Sequence, residues 1–131
     1  SRDGARGFFV VSLAGDSALM DRLPDALVIK LREAGDGVVD LTARNLAMSA
    51  AMAVHHRNNG DDEQASGSER VNQRCSELLR QLDSQRVKDR LEVLLDAANH
   101  SRGEDLAFLE RWGYDDHQKQ AIGDAIQAVA D

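Results

Sequence analysis

Apolar residues change their spacing along this chain, and the change divides it. Phe8, Phe9, Val10, Val11 and Leu13 form a short apolar run that ends at Ala14-Gly15-Asp16. A run of that length, rich in β-branched and aromatic residues and closed by turn formers, predicts a strand over 8–13. Leu27, Val28, Leu31 and Ala34 then recur at helical spacing. Pro24, tolerated only near a helix start, places that start close to Leu23-Pro24, and Gly35 supplies the stop. Val38-Val39-Asp40-Leu41-Thr42 predicts a second strand over 38–42. It leads into a small-faced helical run with Ala47, Ala50, Ala51 and Ala53 beside Leu46, Met48, Met52 and Val54. The expected fold class is α/β (α+β), with a β-α-β-α unit over residues 8–60.

From Arg57 to Ser68 the chain is polar and nearly free of apolar residues, which predicts a linker over 61–68. Residues 69–131 return to helical spacing and predict three to four helices. Arg70-Val71-Asn72-Gln73-Arg74 with Leu78-Leu79 is echoed sixteen residues later by Arg86-Val87-Lys88-Asp89-Arg90 with Leu94-Leu95. At about 100° per residue, that offset would turn the two apolar stripes to nearly opposite sides of one straight helix. A break near Asp83-Ser84-Gln85 would bring both stripes to one core, while an unbroken helix would need a partner on each side. Ser101 with Glu104, and Asp115 with Gln118, have the spacing of capping boxes ahead of two further helices. Phe108, Trp112 and Tyr114 concentrate the aromatic content and are expected to seal the helical part.

Composition narrows the chemistry. The chain has 131 residues, sixteen basic and twenty-three acidic, for a net charge of −7. Up to Gly60 the count is seven basic against seven acidic, so the later part carries the whole excess. An acidic half repels phosphate at long range, and any nucleic-acid contact has to come from the earlier part. The single cysteine, Cys75, forms no internal disulfide and fits a reducing, cytoplasmic setting. No apolar stretch is long enough for a membrane span. The opening residues, Ser1 to Gly7, lack the apolar centre of a secretory signal, and with Ser1 rather than Met at the start a longer natural chain is an expectation.

Candidate reactive groups are few. Adjacent His55 and His56 point about 100° apart on a helix, a poor arrangement for one metal, and His100 and His117 stand alone in sequence. Cys75 occupies an apolar helical position with no activating base in view. Gly15-Asp16-Ser17 lacks the glycines and lysine of a phosphate loop. No catalytic residue, cofactor or metal is expected, and the chain is read as a non-enzyme.

Val39-Asp40-Leu41-Thr42-Ala43-Arg44, continued by Asn45-Leu46-Ala47-Met48-Ser49-Ala50-Ala51-Met52, resembles the strand-to-helix junction of the Alba family of nucleic-acid-binding proteins. Ala43, Arg44, Ala47, Met48, Ser49, Ala51 and Met52 carry the likeness, with Asn45 where that family has glycine. Ala26 to Gly35 is similar to the Alba-related stage V sporulation protein S. The resemblance implies a homodimer and one nucleic-acid contact, Arg44. Two strands without a completing hairpin also leave open edges that a second copy would pair. The leading expectation is therefore a non-enzymatic assembly or regulatory protein acting through self-association, with weak nucleic-acid binding at Arg44. The alternative is a helical structural or adaptor protein that binds another protein and no nucleic acid.

Overall fold

The computed structural model describes residues 25–33 and 35–130. Among these the protein is all-helical: α1 Asp25–Glu33, α2 Asp36–Asn58, α3 Asp62–Gln81, α4 Ser84–His100, α5 Leu106–Trp112 and α6 Asp116–Ala130. The strand expected over 8–13 lies outside the described residues.

The second expected strand is not a strand. Residues 38–42 form the opening turns of the 23-residue α2. Five residues of Val, Leu and Thr carry no period of their own, and what decides is the spacing beyond them. Val38, Val39, Thr42, Ala43, Leu46, Ala47, Ala50 and Ala51 are all buried and continue one stripe at helical spacing. The Thr42 hydroxyl, which would be orphaned on that stripe, donates to the Val38 carbonyl at 2.6 Å. Gly35-Asp36-Gly37 therefore opens a helix rather than a strand. Gly35 has φ 68°, and a Cβ there would lie 2.9 Å from an Arg86 guanidinium nitrogen. With no strand or sheet among the described residues, the expected β-α-β-α unit is absent there. The likeness to Alba and to stage V sporulation protein S was one of alanine-rich helix composition, not of fold.

The alanines of α2 allow close approach, and α2 packs most extensively on α3 and also on α6. Residues 62–68, polar enough to suggest a linker, form the first turns of α3. The Asp61 carboxylate accepts from the Gln64 N–H at 3.1 Å, and Ala65 is fully buried. Asn72 of α3 donates to the Leu46 carbonyl and the Ser49 hydroxyl of α2, at 3.0 and 3.2 Å.

Of the two arrangements left open for the repeats, a break or one continuous helix, the structure has the break. α3 ends at Gln81, Leu82 is extended, and Asp83 caps α4 by accepting from the Arg86 N–H at 3.0 Å. Leu78, Leu79, Leu91 and Leu94 all enter one core, which also takes Leu31 of α1, Leu109 of α5, and Ile122 and Ile126 of α6. The Asp115–Gln118 capping box forms in both directions, at 2.8 and 3.0 Å. Gln118 also donates to the Ala51 carbonyl, pinning the start of α6 to the middle of α2. Ser101 does not cap α5; it is the left-handed residue that ends α4, and Asp105 stands at the N-cap of α5. Of the three aromatics, Tyr114 is buried and Phe108 lies against the core, but Trp112 is 53% exposed.

Candidate protein-docking groove

Where α3, α4 and α6 meet, the apolar stripes leave an open groove of about 560 Å³. Leu79, Val87, Leu91, Leu95, Ile126 and Val129 line it with aliphatic carbon, and Arg80, Lys88, Glu92 and Gln127 stand among its lining residues. The spacing of α4 makes one long wall. Ser84, Val87, Lys88, Leu91, Glu92 and Leu95 fall three or four residues apart, so one face of that helix follows the groove for three turns. Ser84 to Leu95 spans roughly 16 Å at 1.5 Å per residue.

Arg80 fixes one side. Its guanidinium donates to the Ala128 carbonyl at 2.5 Å and the Val129 carbonyl at 3.4 Å, and it pairs with Glu77 at 3.1 Å. A cation there satisfies carbonyls that the end of α6 leaves without partners and complements the helix dipole. It also locks α6 beside α3, which gives the groove its width.

Its opposite support is an ion cluster on the far side of α4. Arg90 makes a two-pronged contact with the Asp105 carboxylate, at 2.5 and 2.9 Å, and donates through Nε to Asp40 at 3.0 Å. Asp105 is 2% exposed. One guanidinium thereby joins α2, α4 and the residue that opens α5. Burial alone would lower the Arg90 pKa, but hydrogen bonds and charge from Asp105 and Asp40 outweigh it and leave the group above its ordinary value.

Arg44, the nucleic-acid contact implied by sequence, lies in α2 and is half-exposed. Its guanidinium sits 5.4 Å above the Phe108 ring and 3.8 Å from Asp40, so its charge is shared with this ion cluster. His55 and His56 stack edge-on at the end of α2, and Asn59 lies 3.2 Å from His55 Nε2. No group of three His, Cys, Asp or Glu side chains among the described residues is placed to hold a metal ion. Cys75 is buried, and burial pushes its thiol pKa up to about 12. No helix of the described residues is long and apolar enough to cross a membrane.

None of the groove residues carries a functional signature in the sequence. Two signals were present: the second leucine of each repeat, Leu79 and Leu95, and the Ile122, Ile126, Val129 stripe of α6. Each reads as core on its own, and only the three-helix junction shows that part of these stripes faces solvent.

Among the described residues, the fold and groove define an all-helical architecture with an open aliphatic cleft. Its family model matches residues 1–129, and the chain belongs to that family, described as Uncharacterised conserved protein UCP020893. No curated protein and no solved structure matches the chain. The family assignment replaces the Alba-like reading.

Proposed function

We propose that this protein is a helical adaptor that binds another protein by taking an amphipathic helix into the α3–α4–α6 groove. The observation that carries the reading is the groove itself, an aliphatic cleft open to solvent along three turns of α4. An amphipathic helix fills such a site with anchors at i, i+3 or i+4, and i+7. No sheet edge among the described residues offers strand addition, and residues 38–42, being helical, supply none of the open edge that self-association was expected to use.

A nucleic-acid role through Arg44 is the weaker reading. That guanidinium is engaged by Phe108 and Asp40, and the acidic excess opposes phosphate. The test is a photo-crosslinking residue placed at Leu95 and, separately, at Lys88 in cells. The crosslinked protein is then purified and its affinity measured for wild type and for Leu95→Asp. We expect both positions to capture the same partner, and Leu95→Asp to weaken it at least tenfold while the thermal melt stays cooperative. A partner that crosslinks at neither position, or that binds Leu95→Asp equally well, would overturn the reading.

A further inference from the structure

We propose that the partner helix has an acidic end, and that Arg32 and Arg86, with Arg80 behind them, read it in a cleft at the Ser84 end of the groove. The inference rests on the docking reading above and adds the partner's charge and its direction in the groove.

This second cleft, of about 680 Å³, opens beside the groove and shares Arg80 and Ser84 with it. Three arginines line it, one from each of three helices: Arg32 of α1, Arg80 of α3 and Arg86 of α4. Two carboxylates, Glu33 and Asp83, stand on the same lining. Asp83 is already engaged, because it accepts the Arg86 N–H at 3.0 Å and caps α4. In a chain of net charge −7, a lining with more cations than anions reverses the prevailing sign.

How each guanidinium is held decides what it can still do. Arg32 donates through Nε to the Gln81 carbonyl at 2.6 Å. That bond orients the side chain without cancelling its charge, since a carbonyl is neutral. Arg86 pairs with Asp36 at 3.3 Å, and the two side chains are 52% and 88% exposed. An ion pair so open to water is weak, and it exchanges readily for a carboxylate that a bound helix holds in place. A Cβ at Gly35 would lie 2.9 Å from an Arg86 nitrogen, so this guanidinium rests against the turn between α1 and α2. Arg32 thus reaches from α1 to the end of α3, and Arg86 from α4 back to Gly35. The two cross the same joint.

The groove continues the order of charge. Along its α4 wall, Lys88 comes one turn after Ser84, and Glu92 one turn after Lys88. The groove is therefore basic toward the cleft and acidic farther along. An amphipathic helix with Asp or Glu one turn beyond its last aliphatic anchor meets Arg32 and Arg86 in one direction only. Reversed, it would bring its carboxylates toward Glu92. Aliphatic anchors accept many amphipathic helices alike, and the charge at this end selects among them.

The test uses the full chain, immobilised, and a displayed library of helical peptides. Leucine is fixed at i, i+3 and i+7, and the turn at either end is randomised. Wild type, Arg86→Glu and the milder Arg86→Gln are screened in parallel, with thermal melts to check that each is folded. Peptides count as groove binders only if Leu95→Asp weakens them at least tenfold. We expect wild type to enrich Asp and Glu at one end of the peptide, and both Arg86 variants to lose that enrichment. For one enriched peptide, Arg86→Gln and Arg32→Gln should each weaken binding about fivefold and flatten its salt dependence. Groove binders without a charge preference, or with affinity unchanged in the Arg86 variants, overturn the inference and leave the docking reading standing. Acidic peptides that respond to Arg86 but not to Leu95→Asp overturn it too, and make the cleft a separate anion site. A library that yields no groove binder overturns the docking reading and this inference with it.

Discussion

Arg90 ties several parts of the structure together through one side chain. It meets two carboxylates, one of them buried, and links three separate segments. Removing one partner leaves the other charged and desolvated, which typically costs about 3–5 kcal/mol for a buried pair. Arg90 keeps some exposure, so Arg90→Ala is expected near the lower end, about 3 kcal/mol, by urea denaturation. Arg90→Lys should recover less than half of that, because an ammonium cannot reproduce the two-pronged contact with Asp105. A full rescue by lysine would show that charge alone matters.

Cys75 gives a second prediction at this scale. Its folded pKa of about 12 exceeds the unfolded value near 9, so the folded state holds its proton through that window. The stability this contributes is fully present below pH 9 and is lost as pH rises toward 12. Relative to Cys75→Ala, wild type should lose up to about 1.4 kcal/mol per pH unit between these limits. Parallel pH–stability curves for the two proteins would remove the effect.

At the scale of elements, the turn between α3 and α4 is the sharpest test. Ser84 is the first residue of α4, where the missing proline N–H costs nothing. Asp83 before it has φ −57° and ψ 118°, the extended conformation that a following proline demands. Ser84→Pro should therefore leave the melting temperature within a few degrees of wild type. Arg80→Pro and Arg90→Pro, inside helices, should each cost about 3 kcal/mol or more. Equal losses at all three positions would refute the break.

The site of this turn was legible in the sequence, because the repeat offset leaves only a break near Asp83 or a helix flanked by two partners; the choice between them was not. The Asp115–Gln118 cap was legible because two side chains at fixed spacing satisfy each other. Residues 38–42 were misread because Val and Thr favour strands locally, while the burial pattern that selects helix extends to Ala51, beyond any five-residue window. The groove was invisible for a different reason. Leu95 and Val129 lie far apart in sequence, and nothing in either stripe records which part of it a third helix leaves uncovered.

For the whole molecule, the shared core has a direct consequence. Leu31 and Leu46 from the earlier part belong to one buried cluster with Leu78, Leu94 and Ile122 from the later part. Unfolding should therefore be a single transition, with calorimetric and van't Hoff enthalpies in agreement. Two resolved transitions would mean that residues 61–68 separate independent units. A single transition also implies that substitutions at Arg90 and in the α3–α4 turn lower the same melting temperature rather than different ones.

Arg80 makes one more property measurable. The same guanidinium that closes the end of α6 belongs to a residue that lines the groove. Anything acidic that draws it inward must release the Ala128 and Val129 carbonyls, and the final turn of α6 then frays more often. Deuterium uptake by the last amides of α6 thus becomes a clock for groove occupancy. It runs faster when an acidic group captures Arg80 and slower when an apolar occupant covers the junction, so the sign of the change reports the chemistry of the occupant before its identity is known.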